Sequence, residues 1–237
     1  MKAERDLIIK HVINVFNEIA ESYSHLRHRP WRKVIHELIS RIPPEGGKVI
    51  VDIGAGSGRH SIALAKLGFE VIPIDISFNM LKKLVRRSKR ERVEARTHVI
   101  VCDMCNISMR DSVSTGIIAV ASIHHIPSKA GRVKAVKEMY RIARSNAPIV
   151  ITVWSLLQPK LFLKALYYRL VGRVKEFGDV LIPWRHRGVE LKRYYHLFTR
   201  RELINIAREG GLNIIHCCTY NPKSTIFPQN YMLVAKR

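Results

Sequence analysis

Apolar residues follow two rhythms along this chain. Near its start, Ile9, Val12, Ile13 and Phe16 recur at helical spacing, as do Val34, Ile35, Leu38 and Ile39, so the stretch Leu7–Ile42 predicts helices. His28-Arg-Pro-Trp31 separates them, and Pro43-Pro44-Glu-Gly-Gly47 closes the region. Short apolar runs then alternate with helical ones. Lys48–Ile53, Glu70–Asp75, His98–Cys102, Gly116–Ile123 and Pro148–Val153 read as strands, with helices expected at about Arg59–Leu67, Phe78–Lys89 and Lys129–Arg144. The strand runs are continuous in Val and Ile, the pattern of a parallel sheet covered on both faces. Ser155–Tyr195 breaks the rhythm, being rich in Leu, Tyr, Arg and Lys, with a helix near Pro159–Val174. A last helix over Arg200–Glu209 ends at Gly210-Gly211, and Leu212–Thr219 and Tyr231–Ala235 form a closing antiparallel hairpin. The expectation is a single α/β domain: an open, mostly parallel seven-stranded sheet with helices on both faces. It comprises N-terminal helices (1–47), a core (48–154), an insertion (155–198) and closing elements (199–237).

Composition agrees and adds a partner. The 237 residues suffice for one large domain, and the 47% hydrophobic content excludes wholesale disorder. Against 41 Lys and Arg stand only 19 Asp and Glu, a formal net charge of +22. A thermostable surface would pair Lys with Glu, and the acids are too few. So much like charge repels itself unless a polyanion neutralises it, which favours nucleic acid over an anionic membrane. No apolar run reaches the ~18–20 residues of a membrane span. The opening Met1-Lys-Ala-Glu-Arg-Asp6 lacks a signal peptide's apolar core. A soluble, cytoplasmic protein with no membrane partner is expected. Cys102-Asp-Met-Cys105 is a C-x-x-C without a second ligand pair at zinc spacing, and Cys217-Cys218 sit in an apolar run. Neither metal nor disulfide is expected.

Candidate chemistry begins after the first strand. Asp52-Ile-Gly54-Ala-Gly56-Ser-Gly58 opens a helix, where glycines let backbone approach a ligand and free N–H groups point at it. The third glycine comes one place too early for the dinucleotide pattern, since position 59 is Arg. Asp52 precedes the loop, Asp75 closes the second strand and Asp103 the third. Acids so placed suit a cationic ligand better than a pyrophosphate. Asp75 suits a pair of ribose hydroxyls, and Asp103 an adenine amino group. S-adenosylmethionine, with its sulfonium and ammonium, meets that description. Over roughly Lys48–Val153 and the closing hairpin, the chain resembles the class I S-adenosylmethionine-dependent methyltransferases. The resemblance implies the methionine moiety near Gly54 and Gly56, the ribose on Asp75 and the adenine beside Asp103 and Met104. Asp52, Ala55, Gly58, Ile76 and Ala121 complete the expected cofactor set.

Further segments point to the acceptor. Val15-Phe-Asn-Glu-Ile-Ala-Glu-Ser-Tyr23 resembles the entry helix of many small-molecule methyltransferases. Arg27-His-Arg-Pro30-Trp31, Ser122-Ile-His124-His125-Ile, Trp154, Pro183-Trp184, Lys192-Arg193-Tyr194-Tyr195-His196-Leu-Phe198 and Asn230–Arg237 together resemble the tRNA wobble-uridine carboxymethyl methyltransferases. That resemblance implies methyl ester formation on 5-carboxymethyluridine in tRNA, and a small zinc-binding activator pairing along His98–Cys102. Two departures stand out: Thr115-Gly116 replaces the family's acid before strand four, and the insertion lacks the long polar tract of the yeast member. A carboxylate acceptor, whose ordinary pKa is around 4, is ionised at neutral pH and needs no strong base. Arg27 and Arg193 are candidates to grip the nucleotide, Trp31, Trp154 and Tyr195 to stack the uracil, and His124, His125 and His196 to orient the carboxylate or ribose through N–H donors. Taken alone, Trp31 and Tyr195 equally fit core aromatics. Lys82, Lys83, Arg86, Arg87, Lys89, Arg90, Arg92 and Arg96 crowd one helix and its exit, and Arg185, Arg187, Lys192, Arg193, Arg200 and Arg201 ring the insertion, as a phosphate footprint requires. A quinone or lipid-precursor methyltransferase, or a catalytically silent RNA-binding protein, are the rival readings.

Overall fold

Strands apolar on both faces need cover on both, and the helices provide it. The computed structural model describes residues 2–44, 47–186, 189–221 and 227–237, so Met1, Glu45, Gly46 and Arg187, named above, lie outside the described residues. Five parallel strands, β1 (Val49–Ile53), β2 (Glu70–Asp75), β3 (Ile100–Val101), β4 (Gly116–Val120) and β5 (Pro148–Trp154), alternate with helices. The sheet order is β3-β2-β1-β4-β5-β9-β8, in which β8 (Asn213–Tyr220) and β9 (Asn230–Lys236) form the closing hairpin and β9 runs antiparallel to β5. Val51, Ile53, Ile117 and Ile149 turn to one face, against Val136 and Met139 of α5 (Lys129–Ile142) and Leu203 and Ile206 of α7 (Arg200–Glu209). Ile50, Ile118 and Val150 turn to the other, against Val34 and Leu38 of α2 (Arg32–Ile39) and Ile62 and Leu64 of α3 (Arg59–Lys66). Each such side chain fully buried contributes roughly 1.5–3 kcal/mol.

Three expectations change. The third strand pairs regularly over two residues only, because Thr97 already bridges to Val71 and the His98 N–H donates to the Val71 carbonyl at 2.9 Å. It lies at the sheet edge, with Val99 and Val101 exposed. The fourth strand stops at Val120: Ala121 takes φ +53°, and Ile123–His125 winds into a 3₁₀ turn. The insertion helix, α6 (Pro159–Leu170), ends before Gly172 at φ +67°, short of Val174. Beyond it lies a pair of strands that the sequence pattern does not announce: β6 (Asp179–His186) and β7 (Val189–His196) form a separate two-stranded sheet. Pro183 and the charged run around Lys192-Arg193 argue against strands in the sequence.

The hairpin and α1 (Lys2–Leu26) roof the carboxyl ends of the parallel strands. Val15 and Ile19 of α1 pack with Trp184 of β6 and Met80 of α4 (Phe78–Arg90), and the Trp184 Nε1–H donates to Ser22 Oγ at 2.9 Å. The far end of the hairpin is tied down by charge. Arg132, fully buried on α5, is ion-paired to Glu176 and Glu202. His196 Nδ1 lies 2.7 Å from Asp179 and its Nε2 2.7 Å from Glu202, while the Tyr194 hydroxyl donates to Asp179 at 2.7 Å. Carboxylates only accept, so both ring nitrogens of His196 carry protons. Burial pulls the His196 pKa down, but the two carboxylates outweigh it and raise it above its ordinary value.

A raised histidine pKa means that the folded state holds the proton longer than the unfolded one. The stability it supplies is complete below about pH 6.5 and is lost as pH climbs through the raised folded value. Urea titrations of the wild type and His196→Gln should therefore converge as pH rises above neutrality. A constant difference between them across that range would show that His196 is uncharged in the fold.

Candidate cofactor cleft and acceptor wall

The glycine loop leaves β1 and must turn sharply to reach α3. Gly54 sits at φ +70°, and a Cβ there would stand 2.3 Å from Ser122 Cβ, so only glycine lets the loop lie against the end of β4. The Gly54 and Ala55 N–H groups both donate to the Ile74 carbonyl, which holds the loop beside β2. Gly58 serves packing: at φ +81°, its Cβ would stand 2.4 Å from Leu84 Cγ.

The three acids divide. Asp75 accepts the Gly56 N–H on one oxygen and the Ser77 N–H on the other, each at 2.8 Å, and Asp103 accepts the Cys105 N–H at 2.8 Å. Both line one cleft, together with Gly54, Ala55, Gly56, Ile76, Met104 and Ala121. Asp52 lies behind the loop, 1% exposed, accepting the Ser61 hydroxyl at 2.5 Å, and burial lifts its pKa to about 6. Burial also raises Asp75 against the pull of its amide donors. Two carboxylates on successive strand ends, lining one cleft, fit an adenosine-bearing cation, whereas the Gly54, Ala55, Gly56 and Gly58 N–H groups expected to face the ligand are already bonded to carbonyls or to Asp75. Ser122 Oγ, buried beside Gly54 with no partner among the described residues, leaves one more polar group for it.

The same cleft also carries positive charge. Arg27 and Arg59 both line the cleft beside Tyr23. Sequence reasoning does not single out Arg59 as a site residue; its only signal there is the displaced glycine pattern. Its guanidinium lies 4.9 Å from the centre of the Trp31 ring, and burial holds its pKa below the ordinary arginine value. Trp31 is thereby placed away from the other aromatics, between Arg59, His60 and Tyr220.

Five predicted acceptor residues do come together. Tyr195 stacks on His124 at 4.8 Å, meets His125 edge-on at 4.5 Å and packs on Trp154 at 4.6 Å. Arg193 donates to the Tyr195 hydroxyl at 2.7 Å and covers the Trp184 ring. Tyr195 and Arg193 are only 3% and 5% exposed, so they form a wall and not an open grip. Of the wall, His125 alone lines the cleft. His196 is not in it, being spent in the ion network. Glu176, Asp179 and His196 stand at metal-ligand spacing, but neither nitrogen of His196 has a lone pair left for a metal.

The histidine tautomers follow from their partners. His125 Nδ1 lies 2.9 Å from the Tyr194 carbonyl, which only accepts, so Nδ1 carries the proton and Nε2 keeps its lone pair. His124 Nδ1 accepts the Trp154 N–H at 3.3 Å, which puts its proton on the buried Nε2. Neither ring offers the cleft the N–H donor expected from the sequence. Burial drives the His125 pKa down to about 3, outweighing its carbonyl bond. Nitrogen-15 spectra of the imidazoles should show His125 as the neutral Nδ1–H tautomer throughout pH 5–8. Titration near pH 6.5 would refute it.

Residues 50–146 match the family model described as a methyltransferase domain. The tRNA (carboxymethyluridine(34)-5-O)-methyltransferase ALKBH8 of Mus musculus is 30% identical over 178 residues, covering 75% of this chain and 24% of that protein. The Arabidopsis thaliana tRNA (carboxymethyluridine(34)-5-O)-methyltransferase is 30% identical over 155 residues, covering 65% of this chain and 35% of that protein. The chain thus spans only about a quarter to a third of these relatives. The crystal structure of a SAM-dependent methyltransferase from Methanosarcina mazei superposes with a TM-score of 0.73 at 20% identity, covering 88% of this chain and 98% of that one. The fold is that of the class I methyltransferases.

Proposed function

We propose that this chain, which carries a methyltransferase domain over residues 50–146, moves the methyl group of S-adenosylmethionine to the carboxylate of 5-carboxymethyluridine at the wobble position of tRNA. The observation that carries this reading is the mixed lining of the cleft, which holds Asp75 and Asp103 together with the guanidinium groups of Arg27 and Arg59. An anionic acceptor brings Arg27 and Arg59 a counter-charge inside the cleft, which a neutral quinone precursor does not. The names of the two relatives above point the same way.

The cofactor supplies a methyl group made electrophilic by its sulfonium. Gly54 and Gly56 would hold its methionine end, Asp75 its ribose, and Asp103 and Met104 its adenine. Arg27 and Arg59 orient the acceptor carboxylate, which needs no base because it is already ionised at neutral pH. His125 then acts as an acceptor, where an N–H donor is expected from the sequence. Its Nε2 lone pair would repel a carboxylate but accepts an N–H or O–H, so it suits the uracil imide or a ribose hydroxyl. Catalysis rests on alignment and exclusion of water, where near-attack geometry supplies about 7–11 kcal/mol.

The basic helix α4 supports a tRNA footprint. Lys82, Arg86, Lys89 and Arg90 are exposed along it, while Lys83 is ion-paired to Glu21 and Arg87 donates to the His28 carbonyl. The exposed edge at Val99 and Val101 is where the implied zinc-binding activator would pair.

With labelled S-adenosylmethionine, tRNA bearing 5-carboxymethyluridine should gain a methyl ester visible by nucleoside mass spectrometry, and the same tRNA with plain uridine should not. Transfer to neither, with cofactor still bound and an activator present, would overturn the substrate. Separately, Asp75→Asn should weaken S-adenosylhomocysteine binding about tenfold or more by calorimetry, the cost of one charged hydrogen-bond partner. Unchanged affinity in a variant with unchanged melting would remove Asp75 from the cofactor site.

A further inference from the structure

The solvent side of α6 is inverted. Surface helices ordinarily bury an apolar stripe and expose a polar one. Here Leu161 and Ala165 turn inward onto Leu156, Val180 and Tyr195, while Phe162, Leu163, Leu166, Tyr167, Leu170 and, just past the helix end, Val171 are 38–76% exposed. At ~100° per residue these positions cover about half the circumference. Eight of the seventeen large apolar side chains exposed among the described residues fall within 157–177.

The charged side chains of the helix itself are all basic. Lys160 and Lys164 border this face on one side and Arg169 on the other, with Arg173 and Lys175 beyond the helix end. No acid occurs between Glu138 and Glu176. Arg173 lies over the Tyr167 and Tyr168 rings, 5.6 and 5.9 Å from their centres, its charge held at the border of the apolar surface.

We infer that this face docks in the plane of an anionic lipid bilayer. A second copy would bring the same basic rim against itself, at a net charge of +22 per chain. Nucleic acid takes the charge but has little use for a row of leucines, because its interfaces are polar. Protein interfaces are depleted in Lys, which flanks this face three times. Anionic headgroups over acyl chains accept both features: the apolar half sinks ~5–10 Å, and Lys and Arg stems reach back to the phosphates. No helix among the described residues is long and apolar enough to cross a membrane, so the contact is in-plane. This amends the expectation of no membrane partner, which rested on the lack of a spanning run. It stands whatever the methyl acceptor is.

The test is co-sedimentation of the full chain with vesicles of phosphatidylcholine alone and of equal parts phosphatidylcholine and phosphatidylglycerol, at low and high salt. A protein this basic adheres to any anionic surface at low salt, so the apolar residues decide. Leu163→Glu/Leu170→Glu should lower partition onto the anionic vesicles about tenfold or more at either salt, since each leucine leaves hydrocarbon. Lys82→Gln/Lys89→Gln on α4 should matter only at low salt. Equal losses from both double variants, or wild-type binding abolished by salt, would reduce the effect to net charge and overturn the proposal. A wild-type dimer in solution, converted to monomer by the leucine changes, would overturn it in favour of a second copy.

Discussion

Arg132 sits on α5 without solvent contact, and the carboxylates gathered near it belong to the insertion, at Glu176 and Asp179, and to α7, at Glu202. None of these groups is stable alone in a low-dielectric interior. Arg132 and protonated His196 make the assembly tolerable, and in doing so they tie a two-stranded excursion to the body of the domain. The acceptor wall depends on that anchorage. Tyr194 donates its hydroxyl to Asp179 and offers its carbonyl to His125, so one residue links the ion network to the tautomer of the histidine that lines the cleft. Tyr195, next in the strand, fills the space between His124, His125 and Trp154.

Two parts of the molecule thus carry different tasks. The parallel sheet places Asp75 and Asp103 at successive strand ends, where loops converge on one cleft. Arg27, just beyond α1, and Arg59, at the start of α3, bring the opposite charge to the same cleft. Charges of both signs therefore line one cleft, which suits a cationic cofactor meeting an anionic nucleophile. Arg193 contributes from behind Tyr195, stiffening the wall through a hydrogen bond to its hydroxyl.

The excess of basic residues is not spread evenly in its consequences. On α4, beyond the exposed Phe78 at its start, it stands among polar side chains, which suits phosphate. Around α6 it borders an exposed apolar face, which suits a layered partner with charge above and hydrocarbon below. The same net charge supports two kinds of contact because the neighbouring side chains differ.

The parallel core, the glycine loop and the strand-end acids are legible in the chain because each depends on near neighbours. Val and Ile runs imply a sheet covered twice, and a glycine two residues after an acid at a strand end has few other uses. The helices, too, are legible, with ends differing by a few residues where Gly172 enters the left-handed region, as Ala121 does at the end of β4. The β6–β7 hairpin is not legible: Pro183 and Arg193 read as loop residues, and the ion network and aromatic wall that hold them come from α5, α7 and the end of β4. Arg59 is a mere departure from a pattern until folding sets it against Trp31 and the cleft. The histidines are visible as residues but not as chemistry. Which nitrogen carries the proton is decided by a carbonyl on β7 for His125, an amide at Trp154 for His124 and two carboxylates for His196. Local pattern determines where an element forms, whereas protonation state and facing depend on partners far along the chain, which only the folded arrangement brings within hydrogen-bond reach.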